Sequence, residues 1–382
     1  MKILCSTNIP YAEEAFQSLG DLTILSAKDI TPDRVRDADV LVVRSTVKVN
    51  RALLEGSRVR FVGTSVIGTD HMDLKYLDQA GIVWRAAPGC NANSVSEYLV
   101  TALLCLARRH AFRLQGKTMA VIGVGHVGSR VADKARALGL TVLLNDPPRA
   151  EAEPNSAFLP LESILPKADI VTLHTPMEKG GRYPTYHLGH ARFFTQLKPG
   201  CVFANVARGA IIDTDVLLAA RASGRMAHII MDTWEGEPAY RLDMLAQADI
   251  ATPHIAGHSY EGKYIGTLMI YRALCQWLNR TPTWTPDAVL PPPLVPHIDL
   301  DVAGRDDEDV LWELVRHVYD IEADDRRLRA SAVEDAAQRS TAFEHQRTEY
   351  PLHREFRFTQ LTLRHASTPL KEKARGLGFQ VE

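Results

Sequence analysis

The apolar positions of this chain fall into two kinds of run. Short continuous runs bounded by glycine or polar residues have the form of buried parallel strands, and longer runs with apolar residues three and four apart have the form of helices. Over residues 1–90 the two alternate. Strands are predicted at 2–6, 23–25, 40–43, 60–63 and 83–85, with helices such as 11–19 and 73–80 between them, giving a small parallel α/β domain. After the Pro88-Gly89 breaker, a helix is predicted over 91–109, with Asn93 and Ser94 as capping candidates and Val95, Leu99, Ala102, Leu103 and Leu106 at helical spacing. The alternation resumes with strands at 119–122, 141–145, 202–205 and 229–231 and helices at 129–138 and 213–223, the order of a doubly wound sheet over 116–255.

A phrase recurs at three strand entrances: Asp37-Ala-Asp-Val, Lys167-Ala-Asp-Ile and Gln247-Ala-Asp-Ile. One supersecondary junction used three times explains it better than a repeat architecture. A helix over 259–279 and a proline-rich linker at 286–296 follow, then a charged segment with a helix near 306–319 and strand-like pieces at 355–363 and 379–381. The expected organisation is one domain from 1–92 with about 257–285, a second over 93–256, and a small C-terminal α+β docking or dimerisation domain over 286–382.

The glycines decide what the second domain holds. The run Met119 to Ile122 enters Gly123-x-Gly125-x-x-Gly128 and then a helical pattern, which is the context that gives this motif its meaning. Gly123 makes the turn, Gly125 lets the backbone approach a pyrophosphate, and Gly128 lets helix and strand pack closely. The helix N-terminus offers free N–H groups to the phosphates. Asp146 ends the next strand, where a carboxylate accepts from a ribose 2′-hydroxyl and repels a 2′-phosphate, so NAD is favoured over NADP despite Arg149 nearby.

Composition narrows the class. The 382 residues are 46% hydrophobic and 24% charged with a formal net charge of −2, so no basic footprint for nucleic acid or an anionic membrane is present. Cys5, Cys90, Cys105, Cys201 and Cys275 are scattered without a CxxC pair, which suits a reducing cytoplasm and argues against both a disulfide framework and a zinc site; no metal is expected. Cys90, in a loop beside Gly89, reads as a bystander more readily than as a catalytic thiol. Neither a signal peptide nor a membrane span is expected.

Three polar residues follow predicted strands or lie in nearby loops: Arg208, Glu237 and His254. In a doubly wound sheet all three can converge on the crevice at the carboxyl ends of the strands. Such a trio suits hydride transfer at a hydroxyl-bearing carbon. An arginine clamps a carboxylate, a histidine takes the hydroxyl proton, and a carboxylate orients that histidine. In the first domain, Arg44-Ser45-Thr46 follows a strand, and 63–70 is a glycine-bounded turn rich in donors.

The phrases VIGVGHVGSRVA, LHTP, NVARGAIIDTDVL, MDTWEGEP and TPHIAGHS make the chain similar to the NAD-dependent D-2-hydroxyacid dehydrogenases. The phrases VRSTVKVN, FVGTSVIGTDHMDL, APGCNANSVSEY, NDPPRA and PHIAGHSYEGK, with the C-terminal VYDIEADDRRLR, resemble a branch acting on a phosphorylated acid. The resemblance implies a Rossmann NAD domain, a smaller flavodoxin-like substrate domain and a homodimer formed through the C-terminal domain. It implies Arg208, Glu237 and His254 as catalytic residues. It implies Gly123, Gly125, His126, Val127, Gly128, Asp146, Thr175, Ala207, Asp232 and Gly257 as cofactor contacts. Ser45, Val66 and His258 are the implied substrate contacts, with Arg44 our candidate for the phosphate and Arg347 or Arg354 reaching in from a partner. The implied reaction is oxidation of 4-phospho-D-erythronate in vitamin B6 biosynthesis. The alternatives are another phosphorylated D-2-hydroxy acid such as 3-phosphoglycerate, or a non-catalytic NAD-sensing scaffold, which the trio disfavours. Two positions depart from the branch: relatives carry threonine at Val66 and tyrosine at His258. A lost substrate hydrogen bond costs roughly 0.5–1.5 kcal/mol, enough to weaken binding without removing the chemistry.

Overall fold

The computed structural model describes residues 1–154, 156–286 and 290–382, so part of the expected linker at 286–296 lies outside the described residues. The chain forms two compact units, 1–92 with 259–292, and 93–258 with 293–382.

In the first unit five parallel strands, β1 (Lys2–Ser6), β2 (Asp21–Leu25), β3 (Val40–Val43), β4 (Phe61–Thr64) and β5 (Val83–Arg85), are ordered β2-β1-β3-β4-β5. This is the flavodoxin-like order, whose direction reverses between β1 and β3. Both faces are covered, which is why β3 and β4 are buried at every residue. The helix Tyr260–Trp277 supplies Ile270, Tyr271 and Leu274 to one face, capped at its start by the Ser259 hydroxyl, which accepts from Gly262 N at 2.9 Å.

The second unit holds six parallel strands, β6 (Thr118–Ile122), β7 (Thr141–Asn145), β8 (Ile170–Leu173), β9 (Cys201–Asn205), β10 (Met226–Met231) and β11 (Ile250–Ala251), ordered β11-β10-β9-β8-β6-β7. Beyond β7, Phe158 makes a single parallel bridge to Leu144. Counting that bridge as a reduced third strand gives the order 3-2-1-4-5-6-7, the Rossmann order 3-2-1-4-5-6 extended by β11, with its switch point between β6 and β8. The helix Ala92–Arg109 is almost wholly buried among apolar side chains.

The three recurring phrases form one junction. Asp39, Asp169 and Asp249 each accept, through Oδ2, a backbone N–H that enters the neighbouring strand: Lys2 at 2.8 Å, Thr118 at 2.9 Å and Ile229 at 2.9 Å.

The C-terminal residues add a three-stranded parallel sheet, β12 (His297–Asp301), β13 (Gln360–Arg364) and β14 (Gln380–Val381), in the order β12-β13-β14. The strand-like run at 355–363 begins only at Gln360, because Phe356–Phe358 is a 3-10 turn whose first N–H goes to Glu97 Oε2 at 3.1 Å. Helices Ile321–Ala330, Ala336–Thr348 and Thr368–Leu377 also belong to this segment. The first of them docks on the sheet edge. Asp325 Oδ1 accepts Ala251 N at 2.8 Å, and Arg329 donates to the carbonyls of Leu245 and Ala248 at 3.0 and 2.6 Å. An otherwise bare edge strand is thereby closed.

A buried charge cluster also ties this segment down. Glu97 accepts Asn93 Nδ2 at 2.8 Å and lies 4.0 Å from Lys134 Nζ, while Glu355 accepts the Ser94 hydroxyl at 2.8 Å. Burial, then the like charge of Glu355, push the Glu97 carboxyl up to about 8. Folded protein therefore holds a proton that unfolded protein releases near 4.5, and stability from this group falls as pH rises between those values. Glu97→Gln should flatten the decline of Tm between about pH 5.5 and 8. Calorimetric scans across that range check it, and an unchanged slope would contradict the assignment.

Candidate active site

The cofactor cradle forms where β6 meets its helix. Gly123 has φ +83°, and a Cβ on Gly128 would lie 2.0 Å from the Gly123 carbonyl oxygen, so the turn closes only on glycine. The helix is His126–Ala137 with Gly125 as N-cap, three residues earlier than the pattern at 129–138. His126, Val127 and Gly128 are therefore in its first turn, where backbone N–H groups lack intrahelical partners. Asp146 Oδ2 accepts Val124 N at 2.8 Å, and Arg149 Nη1 donates to Val124 O at 2.6 Å, so the pair brackets the turn. Arg149 also pairs with Glu153, at 2.8 and 3.0 Å.

Across the switch point, His174 and Thr175 follow β8 and touch Gly123. Thr175 Oγ1 and His174 Nδ1 are buried without a hydrogen-bond partner among the described residues. Burial alone pushes His174 down to about 3, so its ring is neutral. Orphaned polar atoms beside a closed glycine turn and a helix N-terminus are what a dinucleotide pyrophosphate and its neighbours would satisfy. The residues present fit NAD.

The three residues expected to be catalytic come from loops after β9, β10 and β11. Arg208 follows β9, and its Nη1 donates to Ala207 O at 2.8 Å. A Cβ on Gly209 would lie 2.0 Å from the Trp234 carbonyl, so the arginine loop presses directly on the loop carrying Glu237. Glu237 Oε2 accepts Trp234 N at 3.0 Å, and its Oε1 meets His254 Nδ1 at 2.5 Å. Burial would raise the Glu237 carboxyl, yet the His254 charge, its hydrogen bond, Trp234 N–H and Arg347 hold it below the usual range. With Nδ1 committed, Nε2 is the nitrogen left for proton exchange.

His254 itself is held at φ +55°, a left-handed conformation uncommon for a residue with a side chain. Asp232 maintains it. Its carbonyl accepts His254 N at 2.7 Å, and its carboxylate accepts Ile255 N at 2.7 Å, Ala256 N at 3.1 Å and the Thr252 hydroxyl at 2.7 Å. The Thr252 hydroxyl continues to Tyr98 Oη at 2.6 Å. Asp232, expected only as a cofactor contact, is thus also the anchor of the histidine loop. Gly257 and His258 lie in the same loop, with His258 N bonded to Ile255 O at 2.7 Å. The His258 ring meets Tyr350 edge to face at 5.6 Å, a contact from the C-terminal segment that no motif signalled.

Arg44, Ser45 and Val66 belong to the first unit. Arg44 and Ser45 follow β3 at that sheet's own switch point, where Asn8, from the loop after β1, donates to the Thr46 hydroxyl at 3.2 Å. Val66 O accepts Ala87 N at 3.1 Å. Of the two arginines expected to reach in from a partner, Arg354 is 8% exposed with its guanidinium 3.9 Å over the Phe358 ring, and Arg347 pairs with Glu344 at 3.1 Å. Burial pushes the Cys90 thiol up to about 11, in line with its reading as a bystander.

Comparison with known proteins agrees with this geometry. Residues 105–256 match the family described as D-isomer specific 2-hydroxyacid dehydrogenase, NAD binding domain, and 289–378 match a Domain of unknown function (DUF3410). Among solved structures, D-lactate dehydrogenase from Aquifex aeolicus, complexed with NAD and lactic acid, superposes with a TM-score of 0.60 at 25% identity, covering 72% of this chain and 95% of that one. NAD-bound 3-phosphoglycerate dehydrogenase of Entamoeba histolytica shares the fold with a TM-score of 0.63 at 23% identity, over 73% of this chain and 95% of its own. Erythronate-4-phosphate dehydrogenase of Yersinia enterocolitica is 41% identical over 382 residues, the whole of both chains. The Edwardsiella ictaluri enzyme of that name is 43% identical over 361 residues, 94% of each. With its glycine cradle, its Glu237–His254 pair and similarity along its full length, this NAD-dependent dehydrogenase belongs to the erythronate-4-phosphate dehydrogenase family.

Proposed function

We propose that the protein oxidises 4-phospho-D-erythronate to 2-oxo-3-hydroxy-4-phosphobutanoate with NAD, a step in making pyridoxal 5′-phosphate. The observation that carries the reading is the 2.5 Å pairing of Glu237 with His254 in a loop anchored by Asp232. Arg208 binds the substrate carboxylate in a fork and draws electron density from the reacting C2 oxygen. His254 Nε2 removes the hydroxyl proton as C2 gives up its hydride, and the Glu237 carboxylate offsets the positive charge that forms on the ring. When bound, NAD supplies the hydride acceptor. Gly123, Gly125, His126, Val127 and Gly128 hold its phosphates and Asp146 its adenosine ribose. Thr175 and Asp232 would also contact it, and Ala207 and Gly257 would flank its nicotinamide.

Arg44 and Ser45 bind the phosphate, with the Val66 loop and His258 completing substrate recognition. Backbone N–H groups serve where Val66 lacks a hydroxyl, and the His258 ring serves in place of a phenol. Placement of Arg44 at a sheet switch point supports this. The segment 286–382 forms a homodimer, and the enzyme works in the cytoplasm; among the described residues no helix is long and apolar enough to cross a membrane. Arg44→Ala should raise KM for 4-phospho-D-erythronate by about tenfold or more, the size of a charge-assisted hydrogen bond, with kcat within about threefold. Steady-state kinetics check it. An unchanged KM would remove Arg44 from the phosphate site.

A further inference from the structure

The three equivalent aspartates differ in what faces the oxygen not bound to the neighbouring strand. Asp169 Oδ1 meets Lys198 Nζ at 2.6 Å, and Asp39 Oδ1 faces Arg58 and Arg60 at 3.7 and 3.9 Å. In both junctions that oxygen points at a cation. At Asp249 the Oδ1 faces two imidazoles instead, His228 Nδ1 at 3.1 Å and His110 Nε2 at 3.6 Å, while Arg221 lies 3.3 Å from Oδ2. The two rings are 4.0 Å apart between centroids. One ligand atom from each of the three residues lies within 4.8 Å of the others.

We propose that His110, His228 and Asp249 bind a divalent transition-metal cation of the zinc class, which takes the place that Lys198 or the arginines fill at the other two junctions. The donor set, two imidazole nitrogens and one carboxylate oxygen, is one that zinc accepts, with water at the fourth position. Bonds of about 2.1 Å in a tetrahedron separate neighbouring donors by about 3.4 Å. The distances of 3.1 and 3.6 Å to Oδ1 bracket that spacing. The His110 side chain is 34% exposed, which gives an ion a way in. Opposing it are the charges of Arg221 and of Arg109, whose Nη1 donates to the Asp249 carbonyl at 2.8 Å.

The ligands follow the helix Ala92–Arg109, lie within β10 and precede β11, so the ion ties that helix end to two strand entrances. His254 follows β11, so the metal site lies at the far end of this strand from the catalytic histidine. The scattered cysteines pointed away from a metal, but none of these ligands is a cysteine.

Calorimetric titration of Zn²⁺ into the chelator-treated full chain tests the site. One saturable site per chain is expected, weakened at least about tenfold in the His110→Gln/His228→Gln variant. Zinc should raise Tm in the parent chain and not in the variant, whose kcat without zinc is unchanged. If the double variant does not fold, His110→Gln alone should show the same loss. Absence of saturable binding, or equal affinity in a folded variant, would overturn the proposal; equal affinity would place the ion on another group such as His254.

Discussion

His254→Ala is expected to lower kcat by about 10²–10⁴-fold, the range of a lost general acid–base group, with NAD affinity within about twofold of the parent. The split follows from how the loop is built. The imidazole commits Nδ1 to Glu237 at 2.5 Å and leaves Nε2 for the substrate hydroxyl. The backbone is held independently by Asp232, through the N–H groups of Ile255 and Ala256, so removing the ring leaves its support standing. Fluorescence titration with NAD and stopped-flow turnover separate the two effects. A loss of NAD affinity as large as the loss of kcat would show that the histidine holds the site together and does not move the proton.

Gly128→Ala is expected to raise KM for NAD by tenfold or more and to lower Tm by several degrees, with kcat at saturating NAD largely kept. A Cβ there would sit 2.0 Å from the Gly123 carbonyl oxygen and 3.0 Å from its carbon, both of them backbone atoms that cannot rotate away. The turn must open, at the roughly 1–3 kcal/mol typical of overpacking, which in a chain this long is several degrees. Opening also pulls Val124 N from Asp146 Oδ2, so the ribose carboxylate loses its position together with the phosphate cradle. Steady-state kinetics with varied NAD and a thermal melt check both halves. A KM within twofold of the parent would mean that the phosphates do not depend on this turn.

Legibility in the sequence depended on how each residue uses its chemistry. Strands 2–6, 40–43, 83–85 and 141–145 coincide with β1, β3, β5 and β7, because bounded apolar runs mark a sheet with helices on both faces. The helix after the glycine turn starts three residues before its pattern, since Gly125, His126, Val127 and Gly128 form helix poorly by propensity and are placed by packing. Nothing in the charged run from Glu322 to Arg329 marks it for docking, yet Asp325 accepts from Ala251 N in β11 and Arg329 donates to the Leu245 and Ala248 carbonyls just before it. Arg208, Glu237 and His254 stand out in the sequence only jointly, with the carboxylate expected beside the histidine, and the fold adds the 2.5 Å between Glu237 Oε1 and His254 Nδ1. His174 and Tyr350 were missed because a buried neutral imidazole and a ring contact leave no spacing to read.

The central claim rests on turnover by the full chain. Enzyme at a concentration high enough to reveal a single turnover is mixed with NAD and, in separate experiments, 4-phospho-D-erythronate, 3-phosphoglycerate or unphosphorylated D-erythronate, and NADH absorbance is followed. The expected result is rapid NADH formation with 4-phospho-D-erythronate and kcat/KM lower by at least about a hundredfold for the other two, the discrimination available to a site built around buried polar contacts. NADH formation with none of the acids, or a preference for 3-phosphoglycerate, would contradict it.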